Sequence, residues 1–382
     1  MQTVAAPDAE RPRTTNWPHY DEIATGLREY WYPATWSARV GRKPVALRLL
    51  DERVMLLRQS GRLYALTDQC PHRGIPLSVG RQEWPGTWSC RYHGWTIDLE
   101  TGVLKAALTD GPDSPICGKV RVKTYPVEER LGIIWVYMGQ NPPPPLEADV
   151  PAEMLHPDAV VLGRISVQQG NWRYACENAV DEGHAKYLHR HGALATIFRR
   201  MPGWSTITIE HDADGWLKRE TQTISFSDEF PGLGRWPRQR FWHRPSQGSH
   251  ISMRLPSILR NRYVGKQEWK FAWYVPIGRD RHRYVQFYVT HARGLAALKA
   301  HAYFWTHFRW VQLVQFNNQD AWMVRLMPET VPERLYRPDV SITAWRRLCE
   351  QARDFAPPPA SADAPLPTDE PDLAREVVTA ER

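Results

Sequence analysis

The sequence of 382 residues lacks several features that each define a class of protein. It has no run approaching the roughly 20 apolar residues of a membrane-spanning helix, and residues 1–16 are polar, without the apolar core of a signal peptide. No Gly-x-Gly-x-x-Gly fingerprint of a dinucleotide-binding fold occurs. We therefore expect a soluble, cytoplasmic protein that binds no membrane and does not itself bind NAD(P)H.

Cysteine and dense basic runs are also scarce. The chain has five cysteines, two of them in the motif described next, which leaves Cys117, Cys176 and Cys349 far apart. An odd remainder argues against a secreted disulfide framework and favours a reducing compartment. The formal net charge is +7, but Lys and Arg are spread along the chain, which does not favour nucleic-acid binding. The charge suits an acidic redox partner, an anionic substrate or simply a solvated surface.

The sequence does contain two short arms that each carry one Cys and one His. The first reads C-P-H-R-G from Cys70 and the second reads C-R-Y-H-G-W from Cys90. Two thiolates and two imidazoles are the ligands of a Rieske [2Fe-2S] cluster, in which two histidines replace two cysteines on one iron. A structural Cys2His2 zinc site is the alternative, but zinc fingers pair Cys with Cys and His with His. The predicted cluster ligands are Cys70, His72, Cys90 and His93.

A second group of possible metal ligands comprises Asp181, His184 and His189, within nine residues of one another. Two histidines and a carboxylate form the facial triad of non-haem Fe(II) oxygenases. On one helix the two histidines would be about 140° apart at 100° per residue. They could bind one iron only if the helix ends or bends near Tyr187. Three polar residues on a helix can equally form a solvated face or an ion-pair network.

The remaining pattern predicts an α+β protein of two domains. Closely spaced strands and turns from Val45 onward indicate a small antiparallel domain, which ends at the proline run of residues 141–145. Longer alternating segments after it indicate a larger antiparallel sheet flanked by helices. Helices are predicted at 21–30, 174–188 and 295–326. The predicted division is an N-terminal segment with a helix at 1–34 that packs with the catalytic domain, a [2Fe-2S] domain at 35–150, the catalytic domain at 151–355, and a disordered tail at 356–382.

These motifs resemble the terminal oxygenase component of the Rieske non-haem iron ring-hydroxylating oxygenases. The resemblance covers nearly the whole chain, and within the family it is similar to the α-only type that oxidises carbazole. One departure is that four residues separate His184 from His189, whereas the carbazole type has three. The matching segments are Trp31 to Pro33, both Cys-His arms, Asn171 with Trp172, Glu177 with Asn178, Asp181 to His189, Trp273 to Pro276, Phe316 to Asp320, and Ala344 to Arg346.

The resemblance implies a role for each residue of the second group. His184, His189 and Asp320 would bind a mononuclear Fe(II), with His191, Asn317 and Asn318 as weaker alternatives. Asp181 and Asn178 would be catalytic. Asp181 would be a carboxylate bridge that orients an iron-bound imidazole and meets a cluster histidine of the neighbouring subunit. A head-to-tail homotrimer follows, because electrons cross the subunit interface in this family.

The implied reaction is hydroxylation, in the first instance dihydroxylation, of an aromatic or heteroaromatic compound by O2. Electrons would come from NAD(P)H through a separate reductase, a ferredoxin or both. A monooxygenase or oxidative demethylase with the same metal sites is the alternative, and a Rieske electron carrier is a more distant one. The reaction needs an apolar pocket beside the iron. The resemblance places Ala179, Ile251, Tyr263, Lys270 and Phe316 at pocket positions, where core packing would explain each equally well. If Lys270 faces this pocket, an anionic or strongly hydrogen-bonding substrate is favoured.

Overall fold

The computed structural model describes residues 17–189, 204–224, 229–230, 234–235, 250–262, 267–328 and 333–355. Within these ranges the chain forms a region of small antiparallel sheets and a region built on one larger sheet with helices, which confirms the predicted α+β class. No helix of the described part has both the length and the apolar character needed to cross a membrane. The tail at 356–382 lies outside the described residues, and the predicted domain boundaries stay predictions.

The small sheets are built from hairpins that present the two Cys-His arms. The strand bounds are β1 Trp31–Trp36, β2 Val45–Leu49, β3 Glu52–Gln59, β4 Arg62–Thr67, β5 Thr87–Ser89, β6 Trp95–Asp98, β7 Leu104–Ala107, β8 Val127–Arg130 and β9 Ile133–Tyr137. Strands β2, β3 and β4 form one sheet, β5, β6 and β7 a second, and β1, β9 and β8 a third. The first arm follows β4, and the second arm is the loop between β5 and β6.

The larger sheet packs beneath the helices that carry the second group of ligands. Its further strands, with one short hairpin, are β10 Ala159–Gln169, β11 Trp204–His211, β12 Leu217–Ile224, β13 Glu229–Phe230, β14 Gly234–Arg235, β15 His250–Arg254, β16 Ile258–Arg262, β17 Glu268–Pro276 and β18 Arg281–His291. Among the described strands the antiparallel order is β10-β18-β17-β16-β15-β12-β11. One face packs on the small sheets, where the rings of Trp273 and Trp135 lie 5.5 Å apart. Helices cover the opposite face.

The helices differ from the prediction where side chains or glycine interrupt them. Their bounds are α1 Pro18–Glu22, α2 Ala152–Leu155, α3 Trp172–Val180, α4 Gly183–Leu188, α5 Gly294–Tyr303, α6 Asn317–Leu326 and α7 Val340–Cys349. The helix predicted at 21–30 instead begins at Pro18 and ends in a 3-10 turn at Thr25, because Gly26 takes a φ of 115°, which helical residues cannot adopt. The helix predicted at 174–188 is divided at Asp181. Between α5 and α6 the chain stays helical through two π-helical segments, Phe304–Phe308 and Val311–Phe316.

A buried ion-pair network fixes α3 against α1 and α7. Arg346 on α7 donates from Nε to Glu177 Oε1 on α3 at 2.7 Å, and Tyr20 on α1 donates its hydroxyl to the same oxygen at 2.7 Å. The outer nitrogens of Arg346 donate to Glu333 at 2.8 and 2.9 Å. Because the Arg346 and Glu177 side chains are only 2% and 7% exposed, solvent cannot replace either partner. The N-terminal helix is therefore anchored to the helical layer of the larger sheet.

Replacing Arg346 by Met should lower the free energy of unfolding by about 3 kcal/mol or more, because Glu177 would be left buried without its cation. Denaturant unfolding of the metal-loaded protein, followed by tryptophan fluorescence, measures this. Arg347→Met is a matched control, since Arg347 is the next residue and is exposed, and its change should stay within about 0.5 kcal/mol. Equal losses in the two variants would contradict a structural role for the pair.

Candidate functional site

The two Cys-His arms adopt the same backbone turn. In the first arm the Gly74 N–H donates to the Cys70 carbonyl at 2.9 Å, and in the second the Gly94 N–H donates to the Cys90 carbonyl at 3.0 Å. Both glycines have a positive φ, 74° and 67°, a conformation that other residues resist. The sequence spacing C-x-H-x-G and C-x-x-H-G therefore corresponds to two similar loops side by side.

In these loops the two cysteines are buried more deeply than the two histidines. Cys70 and Cys90 are only 2% and 3% exposed, whereas His72 is exposed and His93 is half-buried. Burial and the neighbouring Cys90 raise the pKa of the Cys70 thiol to about 11, so a bound metal is needed to hold thiolates here. The two imidazole rings lie 4.7 Å apart, and Trp95 stacks on His72 at 4.8 Å. This arrangement suits a cluster with cysteines on the inner iron and histidines on the outer iron.

The second group of ligands converges above the larger sheet. Helix α4 ends at Leu188, with His189 as its C-cap residue, and the rings of His184 and His189 lie 5.4 Å apart. The Nε2 atoms of His184 and His189 lie 3.5 and 3.2 Å from Asp320 Oδ1 on α6. One ligand atom from each of the three residues lies within 4.8 Å of the others. Asp320 Oδ1 is buried and, among the described residues, has no aligned hydrogen-bond donor, so the donor set fits a metal ion.

Asp181 lies at the break between α3 and α4, where its carboxylate contacts both the start of α4 and the imidazole of His184. Its carboxylate accepts hydrogen bonds from the backbone N–H groups of Gly183 and His184 at 2.7 and 3.0 Å and lies 3.1 Å from His184 Nδ1. Burial alone would lower the pKa of His184, but the neighbouring carboxylates of Asp181 and Asp320 raise it to about 9. Burial likewise opposes ionisation of Asp181, yet His184 and the backbone donors lower the pKa of this carboxyl. With Nδ1 engaged by Asp181, Nε2 is directed toward Asp320.

The second imidazole is oriented by α6. His189 Nδ1 lies 2.8 Å from Gln319 Oε1, so both histidines have an acceptor at Nδ1 and direct Nε2 to the same point. The Phe316 ring lies 4.9 Å from the His189 ring. The sequence reasoning missed Gln319, although its position next to Asp320 on a helix was an available signal.

Comparison with known proteins decides the family. Residues 30–126 match a family model described as a Rieske [2Fe-2S] domain, and residues 137–199 and 215–356 match one described as a homotrimeric ring hydroxylase. The chain is 32% identical to the terminal oxygenase component of carbazole 1,9a-dioxygenase from Metapseudomonas resinovorans, over 89% of this chain and 94% of that protein. The chain belongs to the Rieske ring-hydroxylating oxygenases. It is a terminal oxygenase component whose cofactors are a [2Fe-2S] Rieske cluster and a mononuclear iron.

Solved structures and shorter matches agree with the family. The reduced complex between oxygenase and ferredoxin in carbazole 1,9a-dioxygenase superposes with a TM-score of 0.77 at 29% identity, covering 90% of this chain and 94% of that chain. Over 55% of this chain, the oxygenase is 31% identical to the vanillate O-demethylase oxygenase subunit of Pseudomonas sp., of which 61% is covered. The expected fold and metal-dependent function of the oxygenase are confirmed, whereas the role of each site residue stays a prediction.

The residues predicted to line the substrate pocket are distributed over several elements. Ala179 and the buried Asn178 lie on α3, Ile251 on β15, Lys270 on β17, and Phe316 beside His189. Ile251 and Lys270 each pair with Asn261 of β16, so their side chains leave the same face of the sheet. Tyr263 and the alternative ligand His191 lie outside the described residues.

Arg219 is a buried residue of the oxygenase that the sequence reasoning did not identify. From β12 it donates to the Val180 carbonyl, and it pairs with Glu182 at 2.7 Å while only 2% exposed. These contacts hold the residues on both sides of Asp181. No local sequence pattern signals this role, because Arg219 reaches the helix break from a strand 38 residues further along the chain.

Arg219→Met should lower iron affinity or turnover by about 10- to 100-fold, because the backbone on both sides of Asp181 loses its anchor. The Rieske EPR signal should be unchanged, which separates this effect from unfolding. Lys218→Met is a control on the adjacent position of the same strand, where the side chain is 40% exposed, and should match the wild type. Unaltered iron binding and turnover in Arg219→Met would contradict the positioning role.

Proposed function

We propose that this oxygenase uses O2 and electrons from its cluster to hydroxylate an aromatic or heteroaromatic compound. The single observation that carries the iron assignment is the convergence of two imidazole Nε2 atoms on Asp320 Oδ1, at 3.5 and 3.2 Å. In the proposal His184, His189 and Asp320 hold Fe(II). The cluster ligands are Cys70, His72, Cys90 and His93.

The bound groups supply the redox chemistry, single electrons from the cluster and oxygen activation at the iron. The protein supplies orientation and protection. Asp181 accepts the Nδ1 proton of His184, and Gln319 accepts that of His189, so neither ring can turn away. Phe316 covers one side of His189 with apolar surface, which limits the access of water. Asn178 and Ala179 lie in the last turn of α3, directly before Asp181.

We propose a homotrimer in which the cluster of one subunit serves the iron of the next. The exposed His72 would meet Asp181 of a neighbour, completing a short polar link between the two centres. Electrons would reach the cluster from a ferredoxin or directly from an NAD(P)H-dependent reductase. A ferredoxin is supported by the similarity to an oxygenase structure in complex with one. Arg73 and Arg91, both exposed beside the cluster histidines, suit an acidic partner of this kind.

We also propose that the oxygenase works in the reducing cytoplasm. None of its five cysteines, all of them among the described residues, forms a disulfide. Cys176 and Cys349 are fully buried and close enough that Cys349 adds to the effect of burial in raising the pKa of Cys176. Two neighbouring thiols that stay unbridged fit a compartment in which disulfides do not form.

Asp320→Ala should remove the mononuclear iron and leave the cluster, so that iron falls from about three to about two atoms per subunit. Metal analysis with EPR spectroscopy measures both centres, and oxygen uptake with a surrogate reductase should be abolished. Asn318→Ala, at an exposed position of the same helix, is the control and should keep all the iron. Retention of the mononuclear iron and of oxygenation by Asp320→Ala would refute the assignment.

Electron transfer between subunits can be tested in mixed trimers. Asp320→Ala subunits keep a cluster without the mononuclear iron, and Cys90→Ser subunits are designed to keep the iron without the cluster. Each homotrimer should be inactive, but random mixing should restore activity at about one quarter of the sites, where intact partners adjoin. Metal analysis of each parent confirms the starting states. Mixed trimers that stay inactive, with both metals present, would argue for transfer within one subunit.

A monooxygenase or oxidative demethylase remains the second candidate, because a matching relative is an O-demethylase oxygenase subunit. The same ligands would serve, and only the substrate pocket would differ. Product analysis under 18O2 separates the reactions. Dihydroxylation places two labelled atoms in the aromatic product and monohydroxylation places one, whereas oxidative O-demethylation places its labelled atom in the released formaldehyde and none in the aromatic product.

A further inference from the structure

One row of paired residues crosses the helix-covered face of the larger sheet. Residues paired directly across antiparallel strands point to the same face. The row is Arg219, Ile251, Asn261, Lys270 and Tyr288. The contacts of the residues at its two ends show which elements cover this face. Arg219 contacts Val180 and Glu182 at the helix break, and the Tyr288 ring lies 4.7 Å from Phe308 in the first π-helical segment. Lys270 therefore leaves the sheet toward the helical layer, between the helix break at Asp181 and the first π-helical segment.

The charge of Lys270 has no protein partner in the described ranges. Lys270 is half-buried, yet no hydrogen bond or ion pair joins it to another described residue. Lys218, in the same sheet, does have a counter-charge, because its ammonium pairs with Asp212 at 3.0 Å. A partly buried ammonium without a counter-charge is costly, and a bound anion would remove that cost.

Polar atoms beside Lys270 are also without partners. Asn261, directly opposite Lys270, has a buried Oδ1 with no described donor. Gln286 lies on the same face, paired with Ala272 two residues along from Lys270. It is 0% exposed, and neither atom of its amide bonds to any described group. Each such group costs about 1–3 kcal/mol if left unpaired. An anion could use only the donors among these groups, the amide N–H of Asn261 or of Gln286, because the amide oxygens accept hydrogen bonds.

We infer that the aromatic substrate of this oxygenase carries an anionic group, a carboxylate in the first instance, which Lys270 and Asn261 bind. The inference rests on the proposed function and specifies its substrate class. A carboxylate has two acceptor oxygens, one for the ammonium of Lys270 and one for the amide N–H of Asn261. The apolar ring would then extend toward Phe316 and His189. A neutral ring of the same shape would leave the ammonium unpaired, which selects against it.

The test compares 1-naphthoate with its neutral analogue 1-naphthamide, using the metal-loaded enzyme. Quenching of tryptophan fluorescence gives the dissociation constants, and oxygen uptake with a surrogate reductase gives turnover. The wild type should bind the acid more tightly than the amide. Lys270→Met should weaken binding of the acid by about 10- to 100-fold and leave binding of the amide unchanged. Lys270→Arg, which keeps the charge, should retain the preference for the acid.

Lys218→Met removes the same charge from another position of the sheet, where the side chain is 40% exposed and pairs with Asp212, and serves as the control for net charge. Equal affinity of the wild type for the acid and the amide, binding of neither, or an equal loss in Lys218→Met and Lys270→Met would overturn the inference. Oxygen uptake with naphthalene distinguishes this failure from a failure of the proposed function. Uptake with naphthalene but no preference for the acid would refute only the anionic substrate. The absence of uptake with every ring, with both metals present, would refute the oxygenase reaction.

Discussion

The carboxylate of Asp181 is the constraint on which the iron site depends. Without it, residues 172–188 could form one continuous helix, whereas the approach of His189 to His184 depends on the end of α4 at Leu188. By accepting the first N–H groups of α4, Asp181 gives that helix its own beginning and changes its direction. The same carboxylate binds His184 Nδ1 and so selects which ring nitrogen is available to a metal. One side chain therefore sets both the start of α4 and the orientation of the His184 ring.

The rest of the catalytic region serves to hold that break in place. Glu177, one turn before it, is fixed by Arg346 and Tyr20, so α3 cannot rotate about its axis. Arg219 holds the backbone on both sides from the sheet below. These contacts place charged groups in a buried layer, where each is costly unless paired. The pairing makes the position of Asp181 depend on three elements that are distant in sequence.

The two metal sites differ in how far their ligands are separated in sequence. The cluster arms are local structures, each made by a Cys, a His and a glycine with positive φ within five residues. Their composition predicts both the turn and the cofactor. The iron site instead joins a helix break to Asp320, more than 130 residues later, and orients His189 through Gln319. No spacing rule relates these parts, because the sheet and the helical layer decide which surfaces meet.

The sequence by itself determined the cluster motif, the antiparallel class and the need for a helix end before His189, since each follows from short-range spacing and backbone geometry. It predicted a helix at 21–30 that ends instead before Gly26, because a single positive φ outweighs weak helical periodicity. Only the tertiary structure decided that Arg219 supports Asp181 and that Lys270 lies on the helix-covered face without a described partner. Strand register determines both, and register is set by long-range pairing of whole strands rather than by the residues around either position.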